Sequence, residues 1–385
     1  MEHRLEELFD LQMGKTPARN NPRYWGTTDN KWISIADLSK CGKYIKETKE
    51  YLSDVAIAES GISQIPANTV IMSFKLSIGK TAITYEPMYS NEAIMSFRDK
   101  HFVDLLPEYI YYLLVAHNWD EGTNKAVMGK TLNKATLSKV KVHIHPLEKQ
   151  EKIVSILNKL TDAIQEHQQQ LQKLDELIKS RFVELFGDPI MNPKGWEVVT
   201  IGDITTEVRY GTSKPAVEGG RYPYLRMNNL TIDGHLDLTE LKYIDIPDDE
   251  IEKCVVRKGD ILFNRTNSIE LVGKTAVFDF PDDMVIAGYI IRVRLNTKMF
   301  PEVLSQYMNL EAIRDILRSM AKGAVNQANI NAQELQSIRV YVPDIELQKQ
   351  FVEMKEQIDK SKVAVQKSLD ETQLLFDSLM QKYFG

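Results

Sequence analysis

The stretch KVHIHPLEKQEKIV around Pro146 returns as RVYVPDIELQKQFV around Pro343, with Gln150 answering Gln348. Four more pairs keep the same order along the chain. SFKLSIGKTAI pairs with FNRTNSIELVGKTAV, which carries four extra residues. WISIADL at Trp32 pairs with YLRMNNL at Tyr224, PEYIYYLL at Pro107 with PEVLSQYM at Pro301, and ELFG ending at Gly187 with KYFG ending at Gly385. The offsets stay between 190 and 198 residues in a chain of 385. Chance matches would not keep their order over the whole length, so the chain is a tandem duplication of one two-part unit. Whatever fold one half adopts, the other must share.

The first part of each unit is mixed. TVIMSF, AITY, GDILF, KTAVFDF and YIIRVRL have strand character between Gly, Pro and Asn turns. LPEYIYYLLVAHNW and PEVLSQYMNLEAIRDILRSM each predict one helix opened by proline, which is tolerated at the first helical position. The second part is different. From Glu148 to Leu185 there is no glycine or proline. Ile153, Leu157, Leu160, Ile164, His167, Leu171, Leu174 and Ile178 recur at steps of four and three, a heptad seam. The second copy is looser, with Phe351, Ile358, Val365, Leu369, Phe376, Leu379 and Tyr383 on one face.

One such helix cannot bury its stripe alone, so the two are expected to pair as an antiparallel coiled coil. The expected fold class is α+β, with two tandem-repeated globular domains at 1–146 and 191–343. Long helices are expected over 147–190 and 344–385. About 40 helical residues span about 60 Å. Domains at the ends of such a rod would sit no more than about 60 Å apart.

Gly-Lys-Thr occurs at Gly14, Gly79, Gly129 and Gly273, which raises a nucleotide phosphate loop as a possibility. That loop needs a further glycine five residues earlier, so that successive N–H groups wrap one phosphate. Phe9, Phe74, Asn124 and Ser268 hold those positions. Bulky side chains there block the wrap, and the tripeptide reads instead as loop-borne basic turns, two of them copies of one repeat position. NPRYW at Asn21 is similar to the Asn-Pro-Pro-Tyr of adenine methyltransferases, but Arg23 replaces the second proline and no glycine-rich cofactor loop follows a strand. His143 and His145 alternate before the long helix without a third ligand, and are read as structural. No catalytic or metal site is expected. Two cysteines make no disulfide framework, and no long apolar run or signal peptide is visible, so a cytoplasmic location is expected.

A net charge of −6 argues against nucleic-acid binding driven by bulk positive charge, though not against local basic faces. Candidate DNA contacts in the first domain are Lys15, Arg19, Arg23, Tyr24, Lys75, Lys80 and Lys130. Those in the second are Arg209, Tyr210, Lys214, Arg226, Asn264, Arg265, Lys274 and Asn326. Arginine and lysine suit guanine edges and phosphates, and amides suit adenine. AVNQANINAQEL supplies such amides, or simply a polar loop capping the next strand. A packed loop with a partly buried Trp25 is an equally good account of the first group.

Two mixed domains, each followed by a long helix, with PLEKQ and ELFGDPIMNPKGWEVVTIGDI at the junction, resemble the specificity subunit of type I restriction–modification systems. The resemblance covers essentially the whole chain. It departs in two places: the second copy reads PDIELQ, one residue longer than PLEKQ, and the first domain shows no counterpart of NPKGWEVV. The resemblance implies target-recognition domains that each read half of a bipartite double-stranded DNA site. It implies helices that space them and dock two methyltransferase (modification) subunits, and through these the restriction/translocase subunits. S-adenosylmethionine, ATP and Mg would then belong to the partners, with none in this chain. An orphan adaptor for a methyltransferase without restriction is the alternative within that architecture. A coiled-coil scaffold with no DNA role is the alternative outside it.

Overall fold

The computed structural model describes residues 1–75, 77–119, 132–324 and 327–385. It divides into two compact units, Met1–Glu166 with Ser368–Gly385, and His167–Lys367. Each unit therefore holds one mixed domain, part of one long helix and part of the other.

In the first unit a five-stranded sheet runs Phe9–Met13, Ile94–Asp99, Val70–Ser73, Thr81–Thr84, Tyr44–Ile45. A three-stranded sheet of Glu50–Leu52, Asn30–Ile33 and Tyr89–Ser90 accompanies it. The second unit repeats the plan. One four-stranded sheet runs Thr205–Tyr210, Ile290–Leu295, Ile261–Asn264, Thr275–Val277, and a second is built on Tyr222–Leu225 and Met284–Ile286. The inner strands Val70–Ser73 and Ile261–Asn264 are buried at every residue, with antiparallel neighbours on both sides. That is why VIM and ILF read as continuous apolar runs rather than alternating ones, each ending in a buried polar residue, Ser73 or Asn264. Asn30–Ile33 with Tyr89–Ser90, and Tyr222–Leu225 with Met284–Ile286, are the matching parallel pairs.

The paired glutamines explain the motif that revealed the repeat. Gln150 is fully buried; its Oε1 accepts from the N–H of Leu106, and its Nε2 donates to the carbonyls of Asp104 (2.8 Å) and His145 (2.9 Å). Gln348, also fully buried, accepts from Phe300 and donates to Lys298 (3.0 Å) and Pro343 (2.9 Å). Leu106 and Phe300 precede Pro107 and Pro301, which start the domain helices. Each glutamine thus ties the start of a long helix to the start of a domain helix. The extra residue of PDIELQ alters none of this: Pro343 takes the acceptor role of His145, and proline merely moves by one position.

The long helices span Leu147–Phe186 and Ile345–Phe384. The first stops at Phe186 because Gly187 adopts φ +87°, with its N–H on the carbonyl of Val183. The junction residues then cover that end. Lys194 Nζ donates to the carbonyls of Glu184 and Leu185, and Trp196 Nε1 to that of Phe186. Within the second unit, Phe182 and Phe186 pack edge-on against Phe351, and Lys362 pairs with Asp175. Falling numbers on one helix meet rising numbers on the other, which is antiparallel pairing. Within the first unit, Ile153, Val154 and Leu157 share a core with Met380, flanked by Phe376, Leu379 and Tyr383. Of the seam, Ile153, Leu157, Ile178, Phe351 and Ile358 are buried. Leu160, Ile164, Leu171, Leu174, Val365, Leu369 and Phe376 are half-buried.

Two expectations need correction. PEVLSQYMNLEAIRDILRSM is not one helix but two, Pro301–Met308 and Glu311–Met320. Asn309 breaks it, because its side-chain amide donates to the carbonyl of Thr275 at 2.6 Å and accepts from the Thr275 N–H. The first domain does have a counterpart of WEVV: Glu2–Arg4 pairs with Lys141–His143 as Glu197–Thr200 pairs with Arg339–Val342. The match is one of backbone pairing, which is why the side chains conceal it. No helix among the described residues is long and apolar enough to cross a membrane.

Candidate nucleic-acid interface

The Gly-Lys-Thr turns close the same hairpin in both domains. Gly79 and Gly273 have φ near +87° and +83°, and their N–H groups donate to the carbonyls of Ser73 and Asn264. An added Cβ would meet Trp119 at 3.0 Å in one and Leu317 at 2.7 Å in the other. The tripeptide recurs because this turn needs glycine. Its lysines have opposite fates. Lys80 is exposed. Lys274 is only 6% exposed, and its ammonium donates to the carbonyls of Met227 (2.9 Å) and Leu230.

In the first domain the opening loop folds onto the helix Asp54–Ser60 and its neighbours. Arg19 lies 3.9 Å over the Trp25 ring and 4.7 Å from the Trp32 ring, and both its Nη atoms donate to Glu50. Arg23 and Tyr24 both donate to Glu59, at 2.9 Å each. That bond to Glu59 raises the Tyr24 phenol above its ordinary value. Lys15 donates to the Ser60 carbonyl, and Lys75 lies 5.2 Å from the Phe74 ring. Arg19, Arg23 and Tyr24 are thus held by acids on neighbouring elements, and Lys15 by a backbone carbonyl next to Glu59. Exposed ion pairs of this kind are worth about 0–1 kcal/mol. Exchanging Glu50 or Glu59 for a phosphate therefore costs little. Trp25 is half-buried beneath Arg19, so packing and presentation coexist in this loop. Lys130 lies outside the described residues.

In the second domain Arg265, Tyr210 and Asn329 come together. The Arg265 guanidinium lies 4.8 Å from the Tyr210 ring, its Nη2 donates to Asn329 Oδ1 (3.1 Å), and Nη1 to the Gly288 carbonyl (3.4 Å). Tyr210 Oη accepts from the Ala332 N–H at 2.8 Å. AVNQANINAQEL is not merely a capping loop. It supplies a strand, Gln327–Asn329, that pairs antiparallel with Lys322–Ala324, and then a helix Ala332–Ser337 whose start Asn331 caps. Lys214 pairs with Glu250 (2.7 Å), Arg209 with Glu207 (3.0 Å), and Arg226 donates to the Glu240 carbonyl (3.2 Å). Arg209 lies on the strand Thr205–Tyr210, Lys214 follows that strand, and Arg226 follows the strand Tyr222–Leu225. Asn326 lies outside the described residues.

Two of the expected DNA contacts are overturned by burial. Asn264 is fully buried, its amide donating to the carbonyls of Thr266 and Tyr289 while its oxygen accepts from Asn267. Lys274 is spent on backbone carbonyls. Both side chains build the hairpin rather than a face. Asn329, Glu50 and Glu59 were missed. Asn329 was legible as one amide among several in its segment, whereas the glutamates carry no local signal.

Asp175, Asp233 and His235 place their ligand atoms within 4.8 Å of one another. The cluster already contains a cation: Lys362 donates to Asp175 and lies 3.0 Å from His235 Nε2. Burial, then Lys362, depresses the His235 pKa.

Comparison with known proteins fits this duplicated plan. The model of the type I restriction modification DNA specificity domain matches twice, over residues 1–176 and 193–372. The chain belongs to this family. It is 27% identical over 252 residues to the type I restriction enzyme MjaIX specificity subunit of Methanocaldococcus jannaschii, covering 59% of this chain and 57% of that one. It is 24% identical over 271 residues to the EcoKI specificity subunit of Escherichia coli K12, covering 65% and 58%. The alignments thus span a little over half the length of these relatives. Among solved structures, the S subunit of a type I restriction-modification system from M. genitalium superposes with a TM-score of 0.58 at 14% identity. That match covers 100% of this chain and 96% of the other. A structure from a study of type I complex assembly and conformational transition gives 0.59 at 17%, covering 100% and 97%. At such identities the likeness is one of fold.

Proposed function

We propose that this chain is the non-catalytic DNA-specificity subunit of a type I restriction–modification complex. Each domain reads one half of a bipartite, asymmetric duplex target, and the paired helices dock two methyltransferase subunits and, through them, the restriction subunits. S-adenosylmethionine, ATP and Mg act on those partners, in the cytoplasm. One observation carries the reading: two domains share one scaffold but present different side chains from equivalent loops. The Gln150 and Gln348 clamps and the Gly79 and Gly273 turns are the same. The lysine of the turn is exposed Lys80 in one domain and buried Lys274 in the other. The position after the inner strand is a core Phe74 in one and a half-buried Arg265 in the other. A common scaffold with divergent loops suits two readers of unrelated sequence.

Methylation mapping in cells with and without the gene tests this. The expected site is two short unrelated blocks with a fixed unspecified gap, and a single continuous palindrome would sink the reading. Within the second domain, Arg265→Ala should cost roughly 1–3 kcal/mol of binding in the assembled complex and relax one position of one block. A phosphate contact would instead weaken every sequence alike. Unchanged affinity and specificity would remove Arg265 from the interface.

A further inference from the structure

Arg314, on the helix Glu311–Met320, is 3% exposed. Its Nη2 donates to the carbonyl of Glu270 at 2.8 Å, while Nε and Nη1 are shielded from solvent without a hydrogen-bond partner. The two acids of its own helix, Glu311 and Asp315, are taken by Arg318. Lys274 adds a second buried cation held only by neutral carbonyls. Burial lowers the pKa of both groups, and Arg314 lowers that of Lys274 further. A buried guanidinium held by one neutral carbonyl, with the acids of its own helix engaged by Arg318, opposes folding, and the carbonyl does not discharge it.

The cover over Arg314 is distinctive as well. Glu270 belongs to the turn Ser268–Val272, which falls where the second copy is longer than the first. The turn is closed on itself, with the N–H groups of Leu271 and Val272 on the Ser268 carbonyl. It points Ile269 and Leu271 outward, 42% and 37% exposed. It follows closely on Arg265.

We propose that Arg314 centres a phosphate-binding site in the second domain, entered when the turn at Glu270 lifts. A phosphate brings the negative charge that carbonyls lack, and its oxygens accept from Nε and Nη1 in the fork geometry of guanidinium. The phosphate is that of the DNA backbone or a free anion, and two measurements separate these sources. The first stands without the DNA-reading function, whereas the second rests on it.

The full chain is melted in potassium phosphate and in potassium chloride at equal ionic strength. With phosphate about tenfold above its Kd, the wild type should gain roughly 2–4 °C. Arg314→Met should melt at least as high in chloride and lose that gain. Arg314→Gln, which keeps an amide donor without the charge, gives the same readout if the first variant does not fold. No gain in the wild type, or an equal gain in the variant, overturns the site. In the second measurement, the complex assembled with its partner subunits binds target duplex over a salt series. Arg314→Met should flatten the log–log slope by about 0.9, one phosphate contact. A phosphate-dependent gain with an unchanged slope supports the site and assigns it to free phosphate. Loss of sequence-dependent binding in the wild type itself would count against the DNA-reading function, leaving the melting result to decide the site.

Discussion

Gln348→Leu is expected to cost about 3–6 kcal/mol of stability, measured as a fall in the denaturation midpoint. The side chain is fully buried and makes three hydrogen bonds, to the N–H of Phe300 and the carbonyls of Lys298 and Pro343. Leucine fills a similar volume but leaves three backbone groups unpaired, each worth about 1–3 kcal/mol when buried. Gln348→Glu is expected to be nearly as damaging, since it keeps the acceptor but puts a carboxylate against two carbonyls. Gln150→Leu should cost a similar amount, because its three partners are equivalent. The two substitutions act in different compact units and should therefore combine additively. Any strong departure would mean that the two clamps are energetically coupled. A cost below about 1 kcal/mol for either would show that the clamp is not what ties long helix to domain.

That clamp also shows what a single sequence reveals. The repeat exposed Gln150 and Gln348 as equivalent before any coordinate was known, because identical packing demands preserve identical residues. The absence of glycine and proline made the long helices legible, and the alternating steps of four and three located the residues that pair. Side-chain direction was less legible. Lys80 and Lys274 sit in the same tripeptide, yet one is exposed and the other buried. The difference arises about 45 residues upstream in sequence. There the first domain has a helix Ile35–Lys40, and the second a short 3-10 turn Met227–Asn229 whose carbonyls bind Lys274. Asn264 misled for a related reason: an amide suits adenine and a buried turn equally well. Arg314 escaped notice because an arginine in an amphipathic helix ordinarily faces water.

The same distant pairing underlies the second large effect, Glu207→Ala, expected to cost about 3–5 kcal/mol. Glu207 Oε2 accepts from Arg292 Nη2 at 2.7 Å and Arg294 Nη1 at 2.9 Å, and Oε1 accepts from Arg209 Nε at 3.0 Å. Arg292 is wholly buried, and Glu207 is its only carboxylate partner among the described residues. Arg294 keeps Asp260 when Glu207 is lost, and Arg209 is exposed, so the penalty falls on Arg292. Replacing both partners by apolar residues, Glu207→Leu with Arg292→Met, should recover most of the loss, since no buried charge is then stranded. The pH dependence has a definite sign. Burial works against ionisation of Glu207, but Arg209, Arg292 and Arg294 hold its carboxyl below the ordinary value of 4.5. Its contribution is therefore complete above about pH 4.5 and drains away as pH falls through the lower folded value. Thermal midpoints measured from pH 6 to about pH 3 should fall less steeply for Glu207→Gln than for the wild type. Parallel curves would mean that other carboxylates, not this one, govern acid unfolding of the second domain.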